Sequence, residues 1–296
     1  MLLSRLVFAL SLLMLSSSQS SEAAPIVTAS TAPIPVRLMT WNVRYANKED
    51  DAAGQGWLQR RERVFALIKS DNPDVLCVQE PKAAQVDDLT AALAEYDHYG
   101  VGRDDGKRAG EFAAVFYKRA RFEAVETQTV WLSETPDAPS KGWDAALPRV
   151  ASRVRLRDKA SGTLFDVWDT HFDHVGVTAR IESAKLLNAR AASANVPTVL
   201  AGDLNTQPTD PAYPAMVAQE ALRDARRTSE SQTTGSVGTF CGWKQPIKAA
   251  GPIDYIFASK EVRVARYDVS TRGYEQVPNL SDHLPVVADL LIPARG

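Results

Sequence analysis

Residues 199–205 read Val-Leu-Ala-Gly-Asp-Leu-Asn, a short apolar run that ends on Asp203 and Asn205. Such a run predicts a strand buried in a sheet. Asp203 and Asn205 are two positions apart, so on extended backbone their side chains point to the same side. Pro208 follows closely, and the pair could equally form a turn, because Asp and Asn bond their own backbone. The stretch therefore predicts a strand that ends in a turn or in a functional site.

Other apolar strands end in the same way, on a residue that can bind a metal or move a proton. The predicted strands before Asn42, Glu80 and His171 all do so. Asp282 and His283 are adjacent, and a regular strand would point them apart, so they can act together only on a loop or a strand mouth. Polar groups at strand ends along one sheet edge can converge in a cleft while the strands stay buried.

The histidines favour a functional interpretation of these strand ends. Taken alone, each residue could be a turn former, a strand-end hydrogen bonder or a surface charge. The chain has four histidines; His171, His174 and His283 lie in these motifs, and only His98 lies elsewhere. Packing poorly explains scarce histidines that cluster beside carboxylates, so we predict that the set forms a site.

Strands and helices alternate along the chain. The predicted helices are 57–69, 85–96 and 179–193, and the predicted strands are 36–45, 73–80, 112–118, 164–172, 196–205, 253–259 and 284–292. No linker or repeat interrupts the pattern after residue 36. The mixture predicts one α+β domain in which helices cover two sheets.

The composition limits the kinds of partner that the protein can bind. The chain has 296 residues, 34 Lys plus Arg, 36 Asp plus Glu and a net charge of −2. A dedicated nucleic-acid binder usually carries a basic excess, so tight non-specific DNA binding is disfavoured but not excluded. The basic clusters Arg60–Arg63 and Arg149–Arg157 are predicted to be solvated faces with salt bridges.

The N-terminus is typical of an export signal. Arg5 precedes the apolar run 6–15, and small residues around Ala23 suit cleavage after it. We therefore predict a signal peptide over 1–23, a flexible lead-in over 24–35, a domain over 36–296, and a periplasmic or extracellular location. A short anchor helix is the alternative, although the apolar run is shorter than the roughly 18 residues that a stable span needs. Cys77 and Cys241 are too few for a disulfide scaffold, and the sequence leaves their pairing open.

Two metal chemistries compete for the predicted site. Residues 170–174, Thr-His-Phe-Asp-His, are similar to half of a zinc hydrolase signature of the metallo-β-lactamase type, but the preceding His-x-His element is absent. The other candidates offer oxygen, and hard oxygen ligands favour Mg²⁺ or Mn²⁺ over zinc. They are Asn42, Glu80, Asp203, Asn205 and Asp282. The sequence therefore predicts Mg²⁺, with Mn²⁺ as an alternative.

An ordered set of motifs resembles the endonuclease/exonuclease/phosphatase superfamily. It comprises Thr40-Trp41-Asn42, Gln79-Glu80-Pro81, Gly110-Glu111-Phe112, Pro148-Arg149, Thr170-His171, Gly202-Asp203-Leu204-Asn205, Ile253-Asp254-Tyr255 and Ser281-Asp282-His283. Each motif is weak alone, but together they run in the family's order across residues 36–292. The resemblance implies a four-layer α/β/β/α sandwich, with two mixed sheets packed face to face, and metal-dependent hydrolysis of phosphoester bonds.

The resemblance also implies roles. Glu80 would be the principal Mg²⁺ ligand, assisted by Asn42 and Asp282. The catalytic residues would be His171 paired with Glu111, His283 paired with Asp254, Asp203 and Asn205 facing the attacking water and the phosphate, and Arg149 near the phosphate. The general base stays open between Asp203 and His283.

Four further residues are candidates for substrate contact or for support of the site: Asp173, His174, Trp143 and Phe240. Asp173 and His174 could instead cap the helix that begins near Ala179. The nuclease branch keeps a tyrosine two residues before Glu111, where this chain has Ala109, which puts DNA as substrate in doubt.

The sequence favours a secreted Mg²⁺-dependent phosphoesterase for a small phosphodiester or phosphomonoester, similar to exported bacterial members without an assigned substrate. A secreted nuclease is the first alternative, although long duplex DNA is disfavoured. A non-catalytic binding protein is the second, but none of the motif residues is missing. No feature sets the oligomeric state, and we assume a monomer.

Overall fold

The computed structural model of the protein describes residues 32–244, 251–276 and 279–294. The predicted signal peptide and most of the lead-in lie outside these residues. The described strands are β1 Ile34–Asn42, β2 Val75–Lys82, β3 Tyr96–Tyr99, β4 Glu111–Lys118, β5 Phe122–Trp131, β6 Val150–Asp158, β7 Leu164–His171, β8 Thr198–Asp203, β9 Arg223–Asp224, β10 Thr234–Gly235, β11 Asp254–Ala258, β12 Arg263–Val269 and β13 Val286–Ile292. The α-helices are α1 Lys48–Ala52, α2 Trp57–Asp71, α3 Ala83–Ala92, α4 Val177–Ala192, α5 Ala212–Met216 and α6 Ala225–Thr228.

The strands form two mixed sheets. The seven-stranded sheet has the order β10-β12-β13-β1-β2-β4-β3, and the six-stranded sheet has the order β5-β6-β7-β8-β11-β9. Strand β1 runs parallel to β2, and β7 runs parallel to β8, whereas β13 beside β1 and β11 beside β8 are antiparallel. This arrangement confirms the predicted α+β fold.

Alternating side chains on the six-stranded sheet separate its two faces. Val167, Val199 and Ile256 point inward and join a core shared with the other sheet. Trp168 and Leu200 point outward and pack with α4 and α5. Each such buried aliphatic side chain stabilises the fold by about 1.5–3 kcal/mol. Because α2 and α3 pack on the seven-stranded sheet, the layers are helices, sheet, sheet and helices, as predicted.

Two local predictions were wrong. The helix predicted over 85–96 ends at Ala92, because residues 96–99 instead form β3 and pair with β4. The segment that includes Arg153 and Arg155 was interpreted as a solvated face with salt bridges; the salt bridges are present, but the segment is strand β6 and Arg153 is buried. The two arginines pair with Asp166 and Glu126, while Val154 between them points into the core.

Arg60 also departs from its prediction as a surface charge, because it is fully buried. Its guanidinium donates hydrogen bonds to the backbone carbonyls of Val43, Arg44 and Leu280 at 2.6–2.8 Å. Burial lowers the pKa of Arg60 to about 10. The side chain therefore joins the segment after β1 to the loop that carries Asp282.

We expect Arg60→Met to lower the free energy of unfolding by about 3 kcal/mol or more, because each buried carbonyl left without a donor costs about 1–3 kcal/mol. Arg61→Met is the matched control, since Arg61 makes a partly exposed ion pair with Asp88, a type worth about 0–1 kcal/mol. Urea unfolding of both variants measures the difference. Equal losses in the two variants would show that Arg60 does not brace these loops.

Candidate active site

Three adjacent strands place three polar side chains side by side. In the register of the six-stranded sheet, His171 on β7 lies opposite Asp203 on β8, and Asp203 lies opposite Asp254 on β11. All three continue the inward-facing alternation of Val167, Val199 and Ile256. The same alternation that builds the core therefore delivers the three groups to the edge between the sheets.

Gly202 permits the close strand packing beside Asp203. Its φ is +143°, and a Cβ there would lie 1.9 Å from the carbonyl oxygen of Thr170 on the neighbouring strand. No other residue type fits this position without moving β7 away from β8. The glycine in the motif thus keeps His171 and Asp203 in register.

Glu80 reaches the site through a bulge in β2. The register of β2 with β4 shifts between Gln79 and Lys82, and Glu80 has a φ of +72°, which is unusual for a residue other than glycine. A bulge re-aims a side chain, and strained backbone clusters at functional sites. The Glu80 carboxylate accepts hydrogen bonds from Asn42 Nδ2 at 2.9 Å and from the backbone N–H of Tyr45 at 3.0 Å.

Asn42 connects the two sheets at the site. Its Nδ2 also donates to Asp203 Oδ2 at 3.0 Å, while its Oδ1 accepts from the backbone N–H of Arg44 at 3.0 Å. The amide nitrogen therefore faces both carboxylates and the oxygen faces away from them. In this orientation Asn42 holds Glu80 and Asp203 together, and its role as a metal ligand stays a prediction.

The polar ends of both sheets enclose a cleft of about 430 Å³. Its lining is Arg44, Tyr45, Glu80, Arg103, Glu111, Leu147, Arg149, His171, His174, Asp203, Asn205, Phe240, Asp282 and His283. The structure thus brings together most of the predicted residues. Asn42, Asp173 and Asp254 lie behind this lining, and Trp143 does not line the cleft; the backbone N–H of Trp143 contacts Glu134.

His283 forms the predicted pair with Asp254. Its Nδ1 lies 2.9 Å from Asp254 Oδ2, and its Nε2 lies 3.6 Å from Asp203 Oδ2. Burial alone would lower the pKa of His283, but the carboxylates of Asp254 and Asp203 outweigh it and raise that pKa well above its usual value. Burial and the charge of Asp254 raise the pKa of Asp203 to about 7. The cleft therefore holds a cationic imidazole beside a carboxyl group that titrates near neutral pH.

His171 does not form the predicted pair with Glu111. Glu111 instead accepts two hydrogen bonds from the guanidinium of Arg103, at 2.6 and 3.1 Å. His171 Nδ1 has no hydrogen-bond partner among the described residues, and its Nε2 lies 3.0 Å from Asn205 Nδ2. Burial, with the nearby charges of Arg149 and Arg103, lowers the pKa of His171 well below its usual value. This lowered pKa favours a neutral His171.

Arg149 is buried and held on two sides. Its Nε donates to Asp173 Oδ2 at 3.3 Å, and its Nη2 lies 2.9 Å from His174 Nδ1. Asp173 also accepts backbone N–H groups from Ala146 and Gly176, so it ties two loops together at the start of α4. Burial alone would raise the pKa of Asp173, but these backbone hydrogen bonds hold it well below its usual value. Asp173 thus supports Arg149 and does not face the cleft.

The donor set fits a hard divalent cation. Glu80 and Asp282 both present carboxylates to the cleft. Burial raises the pKa of Asp282, and the charge of Glu80 adds to this effect, while His283 opposes it. A buried carboxyl group whose pKa is raised by a neighbouring carboxylate favours a bound cation. Asp203, Asp254 and His283 also offer ligand atoms within 4.8 Å of one another. This oxygen-rich set suits Mg²⁺ or Mn²⁺ better than zinc.

The sequence motifs missed Arg103. It lies seven residues before Gly110 in the loop between β3 and β4, and its backbone N–H pairs with the carbonyl of Glu111 across that loop. Trp131 Nε1 donates to the Arg103 carbonyl at 2.8 Å, which fixes the backbone there. Ala109 is exposed at the loop tip and does not line the cleft, so Arg103 is the residue of this loop that reaches it.

A two-sheet sandwich with a His–Asp pair, an Arg and clustered carboxylates at the edge between its sheets defines a class of hydrolytic enzymes. The chain belongs to the endonuclease/exonuclease/phosphatase family, whose model matches residues 39–283. Members of this family are metal-dependent hydrolases that act on phosphoester bonds.

Two solved structures from Bacteroides thetaiotaomicron are similar over almost their whole length. One is a family member that is 36% identical with a TM-score of 0.83, covering 89% of this chain and 97% of that one. The other is a mannosyl-6-phosphatase that is 37% identical with a TM-score of 0.82, covering 87% and 100%. Human Nocturnin is 25% identical over 88% of this chain and 66% of its own length. The chain spans less than two thirds of the length of the first curated relatives it matches.

Proposed function

We propose that the protein is an exported, Mg²⁺-dependent phosphoesterase that hydrolyses a small phosphomonoester by in-line attack of water. The observation that carries the proposal is the Asp203 carboxylate in the cleft, with His171 Nε2 3.5 Å and His283 Nε2 3.6 Å from its Oδ2. A carboxylate between two imidazoles, close to Arg149, can activate a water and leave donors for the phosphate.

The pKa shifts of Asp203 and His283 favour Asp203 as the general base. A general base works best when its pKa lies near the working pH, and the pKa of Asp203 is about 7. His283 is already protonated through its contact with Asp254, so it donates a hydrogen bond to a phosphate oxygen as negative charge grows there. Asn205 and neutral His171 hold the other side of Asp203.

Glu80 and Asp282 would hold the metal, which would neutralise charge at the phosphate. Asn42 orients the Glu80 carboxylate through a hydrogen bond. Arg149 adds a cation whose position is fixed by its contact with Asp173. The developing charge is thus met by groups that need no rearrangement during the reaction.

The positions of the arginine side chains around the cleft favour a small substrate. Among the described residues, the arginines that line the cleft are Arg44, Arg103 and Arg149. Arg153 and Arg155 pair with Asp166 and Glu126, so they do not extend the cleft into a basic groove. The likeness to a mannosyl-6-phosphatase supports a phosphomonoester of a sugar.

A nuclease is the second candidate, and the likeness to an exoribonuclease subunit Ccr4 supports it. Each phosphate contact to a duplex lowers log K by about 0.9 per log unit of salt. We expect a shallow salt slope and weak binding for a 30-mer DNA duplex, because the cleft offers few unpaired cations. Binding and cleavage measured across a salt series test this, and a steep slope with efficient cleavage would establish the nuclease instead.

The experiment that tests the proposed function is a phosphate-release screen with Mg²⁺ or Mn²⁺ over sugar phosphates, nucleotides, lipid head groups and nucleic acids. We expect hydrolysis of one or more small phosphomonoesters and its loss with a chelator. Failure of the folded, Mg²⁺-loaded protein on every phosphoester would refute the proposal.

Export rests on the pattern of residues 1–23. We expect N-terminal sequencing of protein from the cell envelope to start near Ala24. An intact Met1 on a mature cytoplasmic product would contradict export. No helix in the part of the chain that the structure covers is long and apolar enough to cross a membrane.

A further inference from the structure

We infer that the leaving-group side of the cleft binds a hexose ring, with Phe240 against its C–H face and with His174 and Tyr45 bonding to its hydroxyls. The inference rests on the proposed function and specifies its substrate class. Sugars present an apolar face of C–H groups and a rim of hydroxyls, so a site for them needs one aromatic face and polar edges.

Phe240 supplies the aromatic face. It lines the cleft and is 42% exposed, which is unusual for a phenylalanine. Its ring packs edge-on against His283, with 5.0 Å between the ring centroids, and its backbone pairs with that of His283. Phe240 is therefore fixed beside a group that contacts the phosphate, where a ring attached to the phosphate would lie.

His174 supplies a fixed hydrogen-bond donor at another part of the lining. The guanidinium of Arg149 only donates hydrogen bonds, so His174 Nδ1 must accept, and the ring proton is on Nε2. His174 is exposed and lines the cleft, so this N–H is available to a substrate oxygen. His174 contacts Arg149, whereas Phe240 contacts His283, so a different neighbour fixes each of the two side chains in the lining.

Tyr45 also lines the cleft, and its ring carries a hydroxyl. The guanidinium of Arg44 lies over this ring at 4.7 Å from the centroid, and the ammonium of Lys82 lies over it at 4.8 Å. A planar base would have to displace a cation from any face of Tyr45 that the cation covers. The exposed ring of Phe240 together with the polar groups of His174 and Tyr45 matches the C–H face and the hydroxyl rim of a sugar.

The size of the cleft agrees with this assignment. Its volume of about 430 Å³ includes the catalytic groups, and it lies near the lower end of the roughly 300–1,000 Å³ typical of small-molecule sites. Among the described residues of the lining, Leu147 is the other exposed apolar side chain, at 39%. Leu147 and Phe240 together are a small surface for a lipid chain.

The test compares mannose 6-phosphate and glucose 6-phosphate with glycerol phosphate, which lacks a ring. For each variant, the readout is the ratio of kcat/KM for the hexose phosphate to kcat/KM for glycerol phosphate. A loss of activity caused by disturbance of His283 lowers both kcat/KM values, so it cancels in this ratio. We expect Phe240→Ala to lower the ratio roughly tenfold, which corresponds to about 1.4 kcal/mol. Phe240→Tyr should retain it, and Val237→Ala, at a 70% exposed position nearby, is the matched control.

His174→Phe should lower the same ratio, because it removes the Nε2–H donor, while its KM for the hexose phosphate rises. Unchanged ratios in both Phe240→Ala and His174→Phe would overturn the inference. So would a wild-type protein that hydrolyses other phosphoesters but no hexose phosphate, and that result would leave the proposed function intact. Absence of any phosphoester hydrolysis would refute both.

Discussion

Replacing Glu80 by Gln should weaken Mg²⁺ binding by at least about 100-fold and lower turnover by a similar factor, because the metal contributes several kcal/mol to the reaction. The substitution keeps the shape and removes the charge. Glu80 lies in a bulge at a φ of +72°, so the protein maintains an unfavourable backbone to aim this carboxylate at the cleft. Its oxygens already accept from Asn42 and from the backbone of Tyr45, and Gln can accept only on one of them.

Calorimetric Mg²⁺ titration measures the first effect and phosphate release measures the second. Glu62→Gln is the matched control, since Glu62 is exposed on α2 and its side chain is 78% accessible. Thermal unfolding should show that Glu80→Gln stays folded. Unchanged Mg²⁺ affinity in this variant would refute Glu80 as the metal anchor, whatever happened to turnover.

The sequence predicted much of the sheet architecture because several site residues, among them Asn42, His171 and Asp203, end a buried strand. The alternation that places Val199 and Ile256 in the core also places Asp203 and Asp254 in the site, so one periodic pattern carries both kinds of information. Strand β6 escaped prediction because its arginines suggested a solvated surface. The inward alternation of Val154 and Leu156 was visible, but the acidic partners Asp166 and Glu126 lie on other strands.

The contacts of the site were harder to predict, because several side chains have more than one possible hydrogen-bond partner. Glu111 could bond His171 or a cation, and only the loop geometry that carries Arg103 decides for the cation. Asn42 has both a donor and an acceptor in one amide, and the backbone N–H of Arg44 fixes which end faces Glu80. Residue type and spacing do not contain this information. The pairing of His283 with Asp254 was implied by the resemblance to the family, and the structure shows the contact.

Asp203→Asn should lower kcat by roughly 10²–10⁴-fold, the range that general acid–base catalysis supplies. Asn keeps the hydrogen bond from Asn42 but cannot take a proton from water. Burial and Asp254 raise the pKa of Asp203 to about 7, so the wild-type carboxyl is protonated, and inactive as a base, on the acid side. Activity should therefore rise with pH as Asp203 loses its proton. A bound cation lowers that pKa, so the rising limb should lie at or below pH 7.

The pH profile of kcat/KM distinguishes Asp203 from His283 as the base. If Asp203 is the base, the acid limb disappears in Asp203→Asn and persists in His283→Gln, which removes the positive charge of the imidazole but leaves the Asp203 carboxyl group in place. If His283 is the base, the limb should vanish in His283→Gln and remain in Asp203→Asn, and the assignment made from the His283–Asp254 contact would be wrong. Asp137→Asn, at an exposed position, controls for the loss of one carboxylate. Because His283 is held protonated by a 2.9 Å contact with Asp254, we expect the first result.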